Sequence, residues 1–157
     1  MALFEYFPNY VWNLSVSIAV ESGARIGEII DMCKPLREAA EKGDDAGTDE
    51  FLLQWVKMAD KLIGLADEDE AAGCYFSAGS KLKRAALYLM VAERMQGQGH
   101  PNRMATWDKA QATFRKSIQF SKDNCEYVEV PLENGGTMPA LYVRAPGDGP
   151  HPTVVYC

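Results

Sequence analysis

The sequence predicts a mainly α-helical domain followed by a short β-rich segment, and three observations carry that reading. Prolines are segregated: Pro8, Pro35 and Pro101 are the only ones in residues 1–124, whereas Pro131, Pro139, Pro146, Pro150 and Pro152 crowd into 125–157 with four glycines. Residues 1–124 also hold 17 alanines, the best helix former. Apolar residues recur at spacings of three and four in the first part, and at period two after Tyr127. The expected organisation is a helical domain over 1–124 and the start of a sheet over 125–157. A chain of 157 residues, 47% hydrophobic, is long enough to bury roughly 68–70% of its unfolded surface, which excludes a disordered chain.

Each element follows from local chemistry. Tyr10 to Ser22 carries Val11, Leu14 and Ile18 at helical spacing, with Asn9 as N-cap and Gly23 to end the helix. Ile26 to Lys34 continues until Pro35 interrupts backbone bonding. Glu41 to Thr48, with Gly43 and Gly47 among acids, reads as a loop. Leu52, Trp55, Ala59, Leu62 and Ala66 then share one helical face until Gly73 breaks the pattern. Leu82, Ala85, Leu89 and Ala92 repeat that spacing up to about Gly97, and Met104, Trp107, Phe114 and Ile118 mark a last helix to about Phe120. The expectation is five or six helices.

Past Asn124, Val128, Val130 and Leu132 alternate with Tyr127, Glu129 and Pro131, the period of a half-buried strand. Asn134, Gly135 and Gly136 supply a tight turn, and Met138 to Ala145 returns as the second strand of a hairpin. After the Pro146 to Pro152 loop, Thr153 to Cys157 is an unbroken apolar, β-branched run of the kind found in the centre of a sheet. A central strand needs neighbours on both edges and helices on its faces, so this ending suggests a piece of something longer.

Charge removes further classes. With 22 acids against 16 bases the net charge is −6, which argues against a nucleic-acid partner, since phosphate affinity comes largely from Lys and Arg. The densest basic cluster, Lys81, Lys83 and Arg84, reads as a solvated helix face. The longest uncharged run, Tyr6 to Val20, is 15 residues, short of the about 20 a membrane span needs. The first positive charge is Arg25, so no cationic secretory start is visible and a cytoplasmic location is expected. Cys33, Cys74, Cys125 and Cys157 lie more than 30 residues apart, without metal or redox spacing, and read as four buried thiols.

Catalytic motifs are absent. There is no G-x-S-x-G elbow, phosphate-binding G-x-x-x-x-G-K-[ST] loop or H-E-x-x-H helix. Gly97-Gln98-Gly99 reads as a helix terminator, and His100 and His151, each before a proline, as exposed turn histidines. Asp67 to Glu70 reads as a solvated acidic helix turn, because Ala71 and Ala72 stand where an EF-hand loop needs an oxygen ligand and moves on to glycine. No catalytic residue, metal site or cofactor is assigned. Most aromatics are expected in the core, while Tyr10, Trp12, Tyr75 and Phe76 are the candidates for lining an apolar substrate pocket.

One resemblance organises these parts. The helical stretch Ser80-Lys81-Leu82-Lys83-Arg84-Ala85-Ala86-Leu87-Tyr88-Leu89 with Ala92-Glu93 is followed by Tyr127-Val128-Glu129-Val130-Pro131-Leu132-Glu133. Met138-Pro139-Ala140-Leu141-Tyr142 and Pro150-His151-Pro152-Thr153-Val154-Val155-Tyr156 come next. In this order the chain resembles the N-terminal portion of α/β-hydrolases that carry a helical cap ahead of the catalytic fold, the group of 2,6-dihydroxypseudooxynicotine hydrolase and the fermentation-respiration-switch esterases. The resemblance implies a chain truncated before the catalytic core. A serine, acid and histidine would follow Cys157, and the parent enzyme would cleave an ester or a carbon–carbon bond beside an aryl ketone in a hydrophobic small molecule. It implies no cofactor and an inactive chain when taken alone. A helical-repeat-like binding scaffold is the alternative from a different class, although no period near 34 is visible. The helices could also form a homodimer interface.

Overall fold

The computed structural model describes residues 5–42 and 48–155. The chain divides into two compact units, Met1–Ser121 and Lys122–Cys157.

The first unit is helical: α1 (Tyr10–Glu21), α2 (Ile26–Cys33), α3 (Arg37–Ala40), α4 (Thr48–Ala71), α5 (Tyr75–Arg94) and α6 (Arg103–Ser121), with a 3₁₀ turn at Lys34–Leu36 between α2 and α3. Asn9 caps α1 as expected, its side chain accepting from the Trp12 N–H at 3.0 Å, and Gly23 follows the helix at φ +103°. Pro35 ends α2 but does not end helical geometry. Proline at the first turn of a helix lacks only an N–H that would have no partner anyway, so the chain continues through the 3₁₀ turn into α3. Gly73, at φ +75°, separates α4 from α5. Residues 43–47 of the expected Glu41 to Thr48 loop lie outside the described residues.

Helices α4, α5 and α6 form an up-down-up layer. Asp60 pairs with Lys109 and Asp67 with Lys116, two contacts each advanced by seven residues, which requires α4 and α6 to run parallel. Lys81 pairs with Asp69 and Trp55 packs on Tyr88, so α5 runs opposite to α4. Small residues let the layer close. A Cβ on Gly79 of α5 would lie 2.7 Å from Ser121 Oγ and 3.0 Å from its backbone nitrogen. The core is an aromatic chain, Tyr6–Phe7–Trp12–Phe51–Trp55–Tyr88, each ring within 5.8 Å of the next, through which α1 is stapled to α4 and α5. Such pairs add about 0.5–1.5 kcal/mol beyond the area they bury.

The second unit is a hairpin of β1 (Cys125–Pro131) and β2 (Thr137–Val143) with Val128 opposite Ala140. The predicted Asn134-Gly135-Gly136 turn forms: Gly135 takes φ +85° and the Gly136 N–H donates to Asn134 Oδ1 at 3.1 Å. The register puts Val128, Val130, Met138, Ala140 and Tyr142 on one face and Tyr127, Leu141 and Val143 on the other. Both faces are therefore apolar, and most of these side chains are exposed rather than half-buried. Among the described residues the expected central strand is not formed: Thr153–Val155 pairs with neither β1 nor β2, and Val154 and Val155 are 90% and 82% exposed. β-branched composition becomes a strand only when a neighbour offers backbone partners and a surface to pack on. Tyr156 and Cys157 lie outside the described residues.

Candidate functional site

Among the described residues an open, mainly apolar groove of about 610 Å³ lies beside α4, α5 and α6. Leu52 and Leu89, both buried, and Val56 supply apolar lining, while Leu53, Pro101 and Ala105 add more exposed apolar surface. Asp49, His100, Asn102, Thr106 and Lys109 are its polar members. The helical periodicity that turns Leu52, Trp55 and Ala59 inward leaves Leu53 61% exposed, and the α5–α6 connection brings His100 to the first turn of α4.

His100 is less open than the exposed turn histidine that the sequence suggests, its side chain being 19% exposed. Its Nδ1 accepts the Asn102 N–H at 3.2 Å, and its Nε2 lies 2.8 Å from Asp49 Oδ1. A ring nitrogen that accepts a backbone N–H carries no proton, so the neutral ring holds its proton on Nε2 and donates it to Asp49. The aspartate–histidine pair resembles part of a hydrolytic triad but cannot act as one in this geometry, because neither nitrogen is left to take a proton from a nucleophile. The nearby hydroxyl of Thr106 is itself committed, donating to Asn102 O at 2.8 Å.

None of the four pocket candidates lines this groove. Trp12 is fully buried between Phe7 and Phe51, its indole N–H without a hydrogen-bond partner among the described residues. Tyr10 and Phe76 are each 74% exposed, and Tyr75 is half exposed with its ring edge-on to Phe120. Two expectations need correction. Cys33 is buried, but Cys74 is exposed and Cys125 partly so, because Cys74 stands in the break between α4 and α5; Cys157 lies outside the described residues. Asp67 to Glu70 ends α4 in a helical turn, yet three of its acids are paired, Asp67 and Glu70 with Lys116 and Asp69 with Lys81. Among the described residues no group of three or more His, Cys, Asp or Glu could hold a metal ion.

Arg84 departs furthest from a solvated face. Its Nε donates to both oxygens of Glu28 at 3.0 and 3.2 Å, and the Tyr88 hydroxyl donates to Glu28 Oε2 at 2.5 Å. Tyr88 in turn accepts the Arg25 N–H at 3.2 Å. Burial, reinforced by the Glu28 carboxylate, pushes the phenol above the usual tyrosine range. Fifty-six residues separate Glu28 from Arg84, so no local spacing announces this network, just as none announces Asp49 with His100.

No family model matches the chain. It is nevertheless similar to curated proteins named α/β-hydrolase. It is 29% identical over 135 residues to the α/β-hydrolase psoB of Aspergillus fumigatus, covering 83% of this chain and 29% of that protein. It is 22% identical over 154 residues to the α/β-hydrolase xenA of Xenoacremonium sinensis, covering 94% of this chain and 36% of the relative. For the α/β-hydrolase gkaG of Penicillium citrinum the identity is 21% over 164 residues, covering 99% and 37%. The chain thus spans about a third of the length of the curated relatives it matches. Among the described residues no helix is long and apolar enough to cross a membrane.

Proposed function

We propose that this chain is the helical cap and the first strands of a larger serine-type α/β-hydrolase, one that cleaves an ester or an acyl carbon–carbon bond in a hydrophobic or aromatic small molecule. The observation that carries the reading is the similarity of 83–99% of the chain to α/β-hydrolases of which it spans only about a third. The hairpin supports it independently. A two-stranded ribbon with apolar side chains on both faces and two open edges is marginal by itself, and suits the margin of a sheet covered on both sides.

On this reading a serine elsewhere in the parent enzyme attacks the substrate carbonyl, a histidine carries its proton to the leaving group, and backbone N–H groups hold the oxyanion. The residues described here contribute none of those steps. Their part is to hold a rigid aromatic core beneath a lid that excludes water and shapes the pocket, so that the acyl group is bound in one orientation. The coding sequence beyond Cys157 tests the proposal: it should encode a glycine-containing oxyanion loop and, within roughly a hundred residues, a G-x-S-x-G elbow. An immediate stop codon would overturn it.

A further inference from the structure

We propose that the groove beside α4, α5 and α6 binds a small amphiphilic cation, with the apolar body against Leu53, Val56 and Ala105 and a protonated amine at Asp49. Its volume of about 610 Å³ falls within the range of small-molecule sites, roughly 300–1,000 Å³, and like them it is mainly apolar with a few polar groups at the margin.

Charge selects the occupant. Among the described residues the one ammonium group on the groove, Lys109, is paired with Asp60 at 2.5 Å. The His100 ring adds no positive charge in the tautomer that its two hydrogen bonds hold, and it occupies only Oδ1 of Asp49. The Asp49 side chain is 83% exposed, so the groove carries a carboxylate with acceptor capacity left and, among the described residues, no uncommitted cation. An amine completes that balance, whereas a carboxylate ligand would meet Asp49 without an available counter-charge. The groove lies wholly within the helical unit, so this site stands or falls independently of the hydrolase reading.

The test titrates the isotopically labelled 157-residue chain with three probes of matched shape, phenylbutylamine, phenylbutanol and phenylbutanoate, following backbone amide signals by NMR. The amine should shift the amides of Asp49, Leu53 and Ala105 saturably and bind up to about fivefold more tightly than the alcohol, the size of one exposed ion pair. Asp49→Asn should reduce the amine to the affinity of the alcohol. Ala105→Trp, which fills the groove at an exposed position, should abolish binding of both. The proposal is overturned if phenylbutanoate binds as tightly as the amine, if the preference for the amine survives in Asp49→Asn, or if no probe shifts the groove amides saturably.

Discussion

Tyr88 on α5 and Glu28 on α2 meet through a 2.5 Å hydrogen bond, and Arg84, one helical turn before Tyr88, grips the same carboxylate. The carboxylate and guanidinium are only 18% and 11% exposed, so this is a shielded network and not a surface pair. Tyr88→Phe removes a donor to a charged acceptor and should lower stability by about 1.5–3 kcal/mol. Arg84→Ala, which leaves Glu28 with less of its charge compensated, should cost a similar amount. Because the two share one partner, the double variant should depart from additivity by about 0.5–3 kcal/mol. Urea unfolding of the four proteins measures this, and strict additivity would mean that the network does not act as a unit.

Alkali should destabilise the helical unit. Burial pushes the Cys33 thiol from 9.0 up to about 12, and the Tyr88 phenol rises above its usual 10.0 for the same reason. Both groups hold their proton more tightly in the folded than in the unfolded chain. Their contribution is therefore complete below about pH 9 and is lost as pH climbs towards the folded values, each group costing up to about 1.4 kcal/mol per pH unit. The urea midpoint should be level between pH 7 and 8.5 and fall from pH 9 to 11, and Cys33→Ala should flatten the first part of that fall.

Thiol reactivity follows burial. In the native protein Cys74 should react with a disulfide reagent within minutes, while Cys33, buried among the residues of α2, should react only on unfolding. Mass spectrometry of the labelled peptides distinguishes them.

Gly79→Ala should destabilise although alanine is the better helix former. The new methyl would sit 3.0 Å from the Ser121 backbone nitrogen and 3.1 Å from Phe120 Cβ, atoms that move only if α5 and α6 separate. Overpacking of about 1–3 kcal/mol is set against a propensity gain of about 1, so a net loss on the order of 1 kcal/mol is expected. Ser121→Ala should rescue only part of it, since it relieves the 2.7 Å contact to Oγ and not the contact to the backbone.

What the sequence made legible is local. Asn9, Gly23, Gly73 and the Asn134-Gly135-Gly136 turn each act within a few residues, and each appears where capping and turn chemistry place it. The short α3 escaped because a proline reads as a stop although it also suits a first helical turn. His100 with Asp49 and Arg84 with Glu28 escaped because partners 51 and 56 residues apart leave no spacing to detect. Trp12 illustrates the opposite case: its aromatic character suggested a pocket, but only packing reveals that the ring is enclosed between Phe7 and Phe51.

The central claim is that these residues belong to a serine hydrolase whose nucleophile lies outside them. Its most direct test is labelling by a fluorophosphonate probe of the 157-residue chain and of the full product of its gene. The account predicts one labelled serine, in a G-x-S-x-G sequence beyond Cys157, and no label on the short chain. A full-length product that takes no label, or a labelled serine within residues 1–157, would contradict it.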